Sequence, residues 1–422
     1  MVDIRPFRGF TYSSEKFQDL SPVIAPPFDV ISQEERHQYI SKSPFNIVNL
    51  TLGEVDNLDN PVEEFYTNAR GKWNSWRKNH ILERINKPAI WRIDETYLSP
   101  SNQRLTRTGF IALIRLDSYS DSGVQRHERT HDKPKLDRLR LIENTHANLS
   151  PIFFIYLDQD NEATALQEEY QPNLESHATL NQMGPIKIDI SCTTDTKWIH
   201  RFCSHMNQSS VLIADGHHRY EAARSFHRNH NNDSSLDTSY TMGYFVPSSS
   251  KGLVLFPTHR GIHAISKPDD NRFKKKLTNF FDIRTSHPIS SEYPSMKFIY
   301  NRDDPIWIQI KPENYRNLQK NLNPSSLASF SVVIVEEIIL KKILGLSSSE
   351  IAHRKNLSYY HKANDCLNDV RDGILQMAFL LEPITIEDLF SVAYDGGILP
   401  QKSTFFYPKC PTGIVMHSLE KR

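Results

Sequence analysis

The spacing of hydrophobic residues in the first quarter of the chain predicts one long helix followed by strands. Within residues 63–85 the apolar side chains recur at intervals of three, four and seven, which is typical of one face of an amphipathic helix. Two shorter apolar runs, residues 89–93 and 108–116, are rich in isoleucine and predict strands. Before the helix, Pro26 and Pro27 impose an extended backbone on the chain.

The middle of the chain carries continuous apolar runs of the kind that form strands buried on both faces of a sheet. Strands are predicted at residues 151–157, 211–214, 243–246 and 253–256. Residues 220–227 have helical periodicity, and residues 160–179 have it only at their start. A Pro-Ser-Ser-Ser turn is expected to join the last two strands. Strands and helices therefore alternate here, as they do in an α/β core.

Beyond about residue 266 the pattern changes. A helix that runs into a strand is predicted at residues 273–283, and a strand pair is predicted at 297–300 and 307–310. From residue 327 the chain is predicted to be mainly helical, with further helices at 370–381 and 385–393. We therefore expect a mixed α/β (α+β) protein. Its expected parts are an α/β core, a small α+β element and a mainly helical C-terminal unit, at residues 1–265, 266–325 and 326–422.

The charge of the chain narrows the class of protein. Its 422 residues include 50 Lys and Arg and 50 Asp and Glu, so the formal net charge is zero. Proteins that wrap nucleic acid are usually strongly basic, and the sequence has no basic stripe. We therefore expect no nucleic-acid partner.

Cysteine usage and the absence of a long apolar segment predict the compartment. The four cysteines form no CxxC pair, which favours a reducing compartment over a disulfide framework. The most apolar helix-like stretch, residues 330–346, is interrupted by two glutamates and two lysines, and the N-terminus lacks the apolar region of a signal peptide. These features predict a soluble cytoplasmic protein without a membrane partner.

The segment that is most informative for function is LIADGHHRYEAA, which begins at residue 212. A buried strand ends at Asp215, Gly216 allows a tight turn, and a helix is predicted to begin near Arg219. The N–H groups at the helix start, with the positive end of the helix dipole, favour an anion beyond the strand. His217, His218 and Arg219 add donors that suit phosphate oxygens, and Asp215 can hold a magnesium ion or orient a histidine. A capping aspartate followed by two surface histidines is the structural alternative.

A second group of polar residues lies in QRHERTHDKPKLDR, which begins at residue 125. His127 and Glu128 supply an imidazole and a carboxylate, and Lys133, Lys135 and Arg138 supply cations. Phosphoryl transfer needs a base near the nucleophile and cations around the moving charge, so these residue types are suited to it. The His-Glu pair lacks the second helical histidine of a zinc protease. An ordinary solvated charged turn is the alternative.

Three shorter segments are weaker candidates. Thr258, His259 and Arg260, at a strand end, offer a hydroxyl, an imidazole and a guanidinium. The other two segments contribute His146, Asn148 and Ser150, and Lys402, Ser403 and Thr404. The sequence has no Walker A loop, GxGxxG motif, GxSxG motif or kinase catalytic loop. A nucleotide site must therefore be built by other means.

Together these segments resemble a widespread prokaryotic family of unknown function, domain family 1015. The matching segments span the chain in order and are IRPFRGF, VIAPPFDVIS, NIVNLTLG, HERTHDKPKLDRLRLIENTHANLSPIF, LIADGHHRYEAA, FPTHR and LPQKSTFFYPKCPTGIV. Phe28 departs from the tyrosine that is usual in the family, so no role can rest on a hydroxyl there. The resemblance implies membership of the family and no particular activity.

A narrower resemblance concerns the strand, the DGHHR turn and the helix that follows. They resemble the ParB and sulfiredoxin-like fold, which includes kinases that phosphorylate free serine with ADP or ATP. The resemblance implies a nucleotide-binding core in which Gly216, His218 and Arg219 bind phosphates. It places Asp215 and His217 beside the transferred group.

The leading hypothesis is a phosphotransferase that moves phosphate between a nucleotide (ADP or ATP) and a small hydroxyl compound such as serine, with Mg²⁺ as cofactor. Glu128 or Asp215 would accept the hydroxyl proton, and His127 and His217 would assist. A phosphatase or another hydrolase that uses the same anion pocket is the first alternative. A non-catalytic nucleotide-binding regulatory module is the second. The sequence leaves a homo-oligomer open.

We also expect three groups of residues, 127–138, 215–219 and 258–260, to converge on one electropositive pocket. Each group adjoins a predicted strand end, where α/β folds collect their ligands.

Overall fold

The computed structural model describes residues 2–53, 63–116, 123–130, 132–158, 162–264, 270–287, 292–300, 304–353 and 356–421. The strands are β1 Ile4–Arg5, β2 Phe10–Tyr12, β3 Leu82–Arg84, β4 Ile90–Leu98, β5 Arg104–Arg115, β6 Val124–Gln125, β7 Ala147–Asn148, β8 Ile152–Tyr156, β9 Leu174–Asn181, β10 Pro185–Thr193, β11 Val211–Asp215, β12 Tyr240–Pro247, β13 Val254–Phe256, β14 His259–Ile262, β15 Phe281–Arg284, β16 Ser295–Tyr300, β17 Ile306–Ile310, β18 Leu357–Tyr360, β19 Met377–Leu380, β20 Phe405–Tyr407 and β21 His417–Ser418. The helices are α1 Gln33–Lys42, α2 Val48–Thr51, α3 Glu63–Lys78, α4 Asp132–Thr145, α5 Glu162–Glu168, α6 Thr196–Gln208, α7 His217–His230, α8 Asp270–Phe280, α9 Pro312–Asn321, α10 Ser331–Ile334, α11 Ser348–Ala352, α12 Ala363–Arg371 and α13 Ile386–Tyr394, with a π-helix at Val335–Ile343.

The chain forms two compact units. The first unit consists of residues 1–126, 130–254 and 408–422, and the second consists of residues 127–129 and 255–407. The last residues of the chain, 408–422, therefore belong to the first unit. The mixture of sheets and helices confirms the predicted mixed α/β class.

The first unit is built on a nine-stranded sheet. Eight strands follow the order β6-β11-β8-β12-β5-β4-β10-β9, and β1 pairs with β5. Strand β8 runs antiparallel to β11 and parallel to β12. All five of its residues are buried, as its continuous apolar run predicts. One face of the sheet packs on Phe202 of α6 and Phe226 of α7.

A buried ion pair lies within this sheet. Glu95 on β4 and Arg107 on β5 are direct cross-strand neighbours, and both side chains are fully buried. Arg107 Nε and the Tyr244 hydroxyl each donate to Glu95 Oε2 at 2.8 Å. Gly109 makes room for this contact, because a Cβ there would lie 2.7 Å from the Tyr244 hydroxyl. Burial raises the pKa of Tyr244, and the Glu95 charge raises it further, so the phenol stays a donor.

The second unit has its own six-stranded sheet, in the order β15-β17-β16-β19-β14-β18. The predicted helix and strand at residues 273–283 are confirmed by α8 and β15, and the predicted strand pair is confirmed by β16 and β17. Strands β18 and β19 come from the region expected to be mainly helical, and both pair with β14. This region therefore alternates helices with strands.

Two predicted helix boundaries are wrong. The helix expected over residues 63–85 ends at Lys78, because His80 adopts a left-handed φ of 53° and the chain turns. Residues 82–84 then pair with β2 as a strand. The second error is at residues 370–381, where α12 ends at Arg371 and Met377–Leu380 forms strand β19, buried throughout. A short apolar run with buried faces fits either a helix or a strand by periodicity alone.

One predicted pairing is also wrong. The strands at residues 243–246 and 253–256 exist as β12 and β13, but they do not form a hairpin with each other. Strand β12 lies between β8 and β5, and β13 pairs with β20. The turn residues at 247–250 thus lead the chain out of the large sheet.

No helix in the described part of the chain is long and apolar enough to cross a membrane.

The burial of His417 predicts how the stability of the first unit depends on pH. Its side chain is buried, and neither ring nitrogen has a hydrogen-bond partner among the described residues. Burial lowers its pKa to about 3. Between about pH 3 and pH 6.5 the ring is therefore neutral in the folded state. In the unfolded chain the pKa of the ring is near 6.5, so the ring is protonated in that range. We expect the free energy of unfolding to fall by about 1.4 kcal/mol for each pH unit from this residue as the pH drops from about 6.5 towards 3.

The measurement is chemical denaturation between pH 4 and 7.5 on the wild type and on His417→Leu. The variant removes the titrating ring without leaving a buried partner unpaired, so its stability should depend less on pH. An equal pH dependence in both proteins would contradict the assignment.

Candidate functional site

The candidate site begins where β11 meets α7 in the first unit. Strand β11 is buried up to Ala214, and Gly216 follows Asp215 with a left-handed φ of 94°. The helix starts at His217, two residues before the predicted start near Arg219. The side chain of His217 is buried and that of His218 is partly exposed. The first N–H groups and the positive end of a 14-residue helix therefore point towards the end of β11.

Asp215 is held between two cations. Arg219 Nη2 lies 2.6 Å from Asp215 Oδ2, and Lys409 Nζ lies 2.5 Å from Asp215 Oδ1. The exposed fractions of the Asp215, Arg219 and Lys409 side chains are only 12%, 9% and 7%. Arg219 Nη1 also donates to the carbonyl of Pro151 at the start of β8. One carboxylate is thus paired with two cations at the start of the helix.

Gly216 makes room for a neighbouring side chain, and its predicted role in binding phosphate stays a prediction. The guanidinium of Arg219 occupies the space that a side chain on Gly216 would need, since a Cβ there would lie 2.9 Å from Arg219 Cζ. Glycine is needed both for the left-handed φ and for the folded-back arginine.

Lys409 is a site residue that no local sequence pattern marks. Its side chain is buried, and Gln182 holds its backbone through the Lys409 N–H to Gln182 Oε1 and the Gln182 Nε2–H to the Lys409 carbonyl, both at 2.9 Å. A lysine is rarely buried unless it is paired, so burial is the signal that marks it. Only the tertiary structure brings Lys409 next to Asp215, 194 residues away.

A cleft of about 440 Å³, including its open mouth, lies beside this cluster. Arg219 and Arg138 both line it, so the structure brings together one residue from each of the two main candidate groups. Arg138 binds Asp137 at 2.6 Å, donates to the carbonyl of Thr51 at 3.0 Å, and lies 3.9 Å from the centre of the Phe28 ring. Phe28 therefore packs against a cation and offers no hydroxyl.

The other two lysines of that segment lie elsewhere on α4. Lys133 is exposed, and Lys135 forms an ion pair with Asp132 at 3.1 Å. Neither lines the cleft. Their predicted role in binding phosphate stays a prediction.

His127 and Glu128 belong to the second unit. The His127 ring is buried, with Nε2 3.1 Å from the Thr404 hydroxyl, and its carbonyl accepts from the Leu399 N–H at 2.8 Å. Glu128 forms a parallel bridge with Leu399. Both residues therefore make structural contacts within the second unit.

Thr258, His259 and Arg260 lie in the same unit and are buried. Arg260 donates to the Thr258 carbonyl at 2.6 Å and to the Lys402 carbonyl at 3.0 Å. His259 Nδ1 accepts from the Leu381 N–H at 3.0 Å, and burial lowers its pKa to about 4. Arg260 and Nδ1 of His259 are thus engaged by protein groups.

The predicted convergence of residues 127–138, 215–219 and 258–260 stays a prediction, because these residues fall in two units. Within the first unit the expected juxtaposition of the α4 segment with the DGHHR turn is observed, through Arg138 and Arg219.

The donor set at Asp215 does not fit a protein-built magnesium site. Both carboxylate oxygens face cations, and the described part of the chain contains no cluster of three or more His, Cys, Asp or Glu residues able to hold a metal. Magnesium prefers an octahedral shell of oxygens, for which Arg219 and Lys409 are poor neighbours.

One protein family matches the chain, and several solved structures are similar to it. The family described as "Protein of unknown function (DUF1015)" matches residues 4–341, so the chain belongs to that family. Among curated proteins no match is found.

Solved structures similar to this chain are distant in sequence. A conserved hypothetical protein from Pyrococcus furiosus is 12% identical, with 72% of this chain and 93% of that chain covered and a TM-score of 0.36. A free serine kinase in complex with AMP is 12% identical, with 74% and 91% covered and a TM-score of 0.36. SbnI with a C-terminal truncation, from Staphylococcus aureus, is 10% identical, with 74% and 86% covered and a TM-score of 0.35. The suggested likeness to free serine kinases is thus found among the solved structures.

The geometry of Gly216 gives a testable prediction for the folded state. Gly216→Ala should lower the free energy of unfolding by about 1–2 kcal/mol from the left-handed backbone alone, and more from the displaced Arg219 guanidinium. Gly184→Ala is the matched control, because a Cβ there meets nothing within 4 Å and its φ is not left-handed. Urea denaturation measures both variants. Equal stability of the two would contradict the packing of Arg219 over Gly216.

Proposed function

We propose that this protein is a phosphotransferase that moves a phosphoryl group between a nucleotide and a small hydroxyl compound. The observation that carries the proposal is the pairing of Asp215 with Arg219 and Lys409 at the start of α7. Two buried cations and a helix N-terminus together favour a polyanion such as a nucleotide phosphate. The resemblance of the DGHHR turn to nucleotide-binding folds supports the same ligand.

The cluster offers a way to couple nucleotide binding to base activation. A phosphate that arrives at the helix start competes with Asp215 for Arg219 and Lys409. The cations then neutralise phosphate oxygens, and the carboxylate of Asp215 is released to accept a proton.

With ATP as donor, the terminal phosphoryl group is transferred to the substrate hydroxyl. The substrate oxygen attacks the terminal phosphorus, the bond from that phosphorus to the bridging oxygen breaks, and ADP leaves with the bonding electrons. The substrate hydroxyl proton passes to the carboxylate. With ADP as donor the leaving product is AMP and the same atoms move. Arg219 and Lys409 stabilise the charge that accumulates on the transferring group and the leaving oxygen.

Asp215 is our first choice of base, and Glu128 is the second. Asp215 adjoins the two cations that would hold the phosphate. Magnesium belongs in the assay because nucleotides carry it, and no step is assigned to it here, since the donor set at Asp215 does not fit a metal.

A hydrolase that uses the same anion site would transfer the phosphoryl group to water, and a regulatory module would bind nucleotide without consuming it. Acceptor-dependent consumption of nucleotide separates all three functions. A kinase consumes ATP only with its acceptor, a hydrolase consumes it without one, and a regulatory module does neither.

Nucleotide binding should depend on Arg219. Arg219→Ala removes a charged donor, and we expect weaker binding of ADP and ATP by about 1.5–3 kcal/mol, or about ten- to a hundredfold. Arg201→Ala is the control, because Arg201 pairs with Glu162 at 2.6 Å on the surface of the same unit. Isothermal titration calorimetry measures both. Unchanged affinity in Arg219→Ala would overturn the nucleotide site.

Turnover should depend on the carboxylate of Asp215. Asp215→Asn keeps the shape of the side chain and removes its basicity, so we expect a loss of about two to four orders of magnitude in kcat at saturating nucleotide. Glu128→Gln should leave kcat within about threefold if Asp215 is the base. The reverse result would assign the base to Glu128.

The assay follows phosphorylated product by mass spectrometry with a panel of hydroxyl amino acids, hydroxy acids and polyols. Circular dichroism checks that each variant is folded. Nucleotide binding without product from any acceptor would contradict the kinase and favour the regulatory module.

A further inference from the structure

The cleft beside the Asp215 cluster contains polar groups that the phosphate site does not use. Asn148 lines it and is 6% exposed. Its Oδ1 accepts from the Met242 N–H at 3.2 Å and from the Thr241 hydroxyl at 3.4 Å. A backbone N–H can only donate, so the orientation of the amide is fixed and Nδ2 carries the donors. Nδ2 has no hydrogen-bond acceptor among the described residues.

Ser150 adds a second available donor. Its side chain lines the same cleft, and its hydroxyl has no partner within the described ranges of the chain. Arg138 has two of its five N–H groups left after its bonds to Asp137 and Thr51, because Nε and one N–H on each Nη are used. Three donors of different type therefore line one cleft.

No acidic side chain in the described part of the chain lines this cleft, and its remaining walls are largely aliphatic, with Leu141, Ile142 and Ile152 among them. Donors that face an open cleft bind either water or a ligand, so an arrangement of this kind suits a ligand that supplies acceptors. The flat guanidinium and amide groups match a planar carboxylate, which accepts hydrogen bonds through both oxygens.

We propose that this cleft binds a small hydroxy compound through its carboxylate, which accepts from Asn148 Nδ2, Ser150 and Arg138. The class comprises hydroxyl amino acids and hydroxy acids of a few carbon atoms, since the three donors line one small cleft. Arg219 lies both in this cleft and against Asp215, so the cleft adjoins the carboxylate of Asp215. That the ligand is the phosphoryl acceptor rests on the proposed function, whereas its binding does not.

The first experiment compares carboxylates with matched neutral compounds in the absence of nucleotide. L-serine and D-glycerate are the carboxylate probes, and serinamide and glycerol are their neutral counterparts. Calorimetry or ligand-observed NMR on the full-length chain should show binding at least about tenfold tighter for the carboxylates. Equal binding of charged and neutral compounds, or binding of neither, would overturn the proposal.

The second experiment reverses the donor at Asn148. Asn148→Asp keeps an oxygen for the Met242 N–H and replaces the Nδ2 donors by a second acceptor, so the carboxylate probes should bind at least about tenfold more weakly. Asn173→Asp is the matched control, because Asn173 Oδ1 also accepts a backbone N–H, that of Thr194, at 2.7 Å. The control should stay within about twofold of the wild type.

Ser150→Ala decides the outcome if Asn148→Asp does not fold. It removes one donor and no backbone contact, so a loss of about three- to tenfold is expected, and unchanged affinity would count against the site. The two proposals fail separately. Carboxylate binding without nucleotide binding would refute the proposed function alone, and nucleotide binding without carboxylate binding would refute the acceptor cleft alone.

Discussion

The carboxylate of Asp215 connects three parts of the first unit that are far apart in sequence. Through Arg219 and the Pro151 carbonyl it ties the start of α7 to the start of β8, and through Lys409 it ties both to the C-terminal segment. Three buried charges at one point are costly to desolvate, and breaking a buried pair typically costs about 3–5 kcal/mol. The site is therefore stable only when residues 408–422 have packed against the rest of the first unit, so formation of the site is coupled to folding of the whole unit.

A second polar cluster, formed by Glu95, Arg107 and Tyr244, lies on the same sheet as Asp215. Tyr244 on β12 and Asp215 on β11 flank Phe153 of β8 in the strand register, and the Tyr244 hydroxyl binds the ion pair of β4 and β5. Burial raises the pKa of the Cys410 thiol, with further increase from the carboxylates of both clusters. The thiol is thus kept neutral between two groups of charges. Such buried networks cost stability, which suggests that their value lies in fixing the orientation of the side chains around the site.

The DGHHR turn shows how far local sequence carries a functional prediction. Asp215, Gly216 and Arg219 are close in the chain, so a strand end, a left-handed glycine and a helix start follow from their residue types. The same residues contact one another in the structure, as Arg219 folds over Gly216 onto Asp215. What the sequence could not show is that this arginine fills the space above the glycine, because that depends on the Pro151 carbonyl of another strand. Likewise, only the structure shows that His259 and Arg260 contact backbone groups of their own unit, and their role in ligand binding stays a prediction.

By itself, the sequence determined the mixed α/β class, the buried strand β8, the strand and turn that position Asp215, and the membership of the family. Each of these depends on residue order over a short span, where periodicity and backbone preferences act directly. Only the tertiary structure decided that Lys409 completes the cluster, that Arg138 and Arg219 share a cleft, and that Asn148 lines it with an Nδ2 group that has no acceptor among the described residues. These features arise from residues separated by tens to hundreds of positions along the chain. Whether such residues meet is set by strand order and by the packing of α4 and α7 on the sheet, which no local pattern encodes.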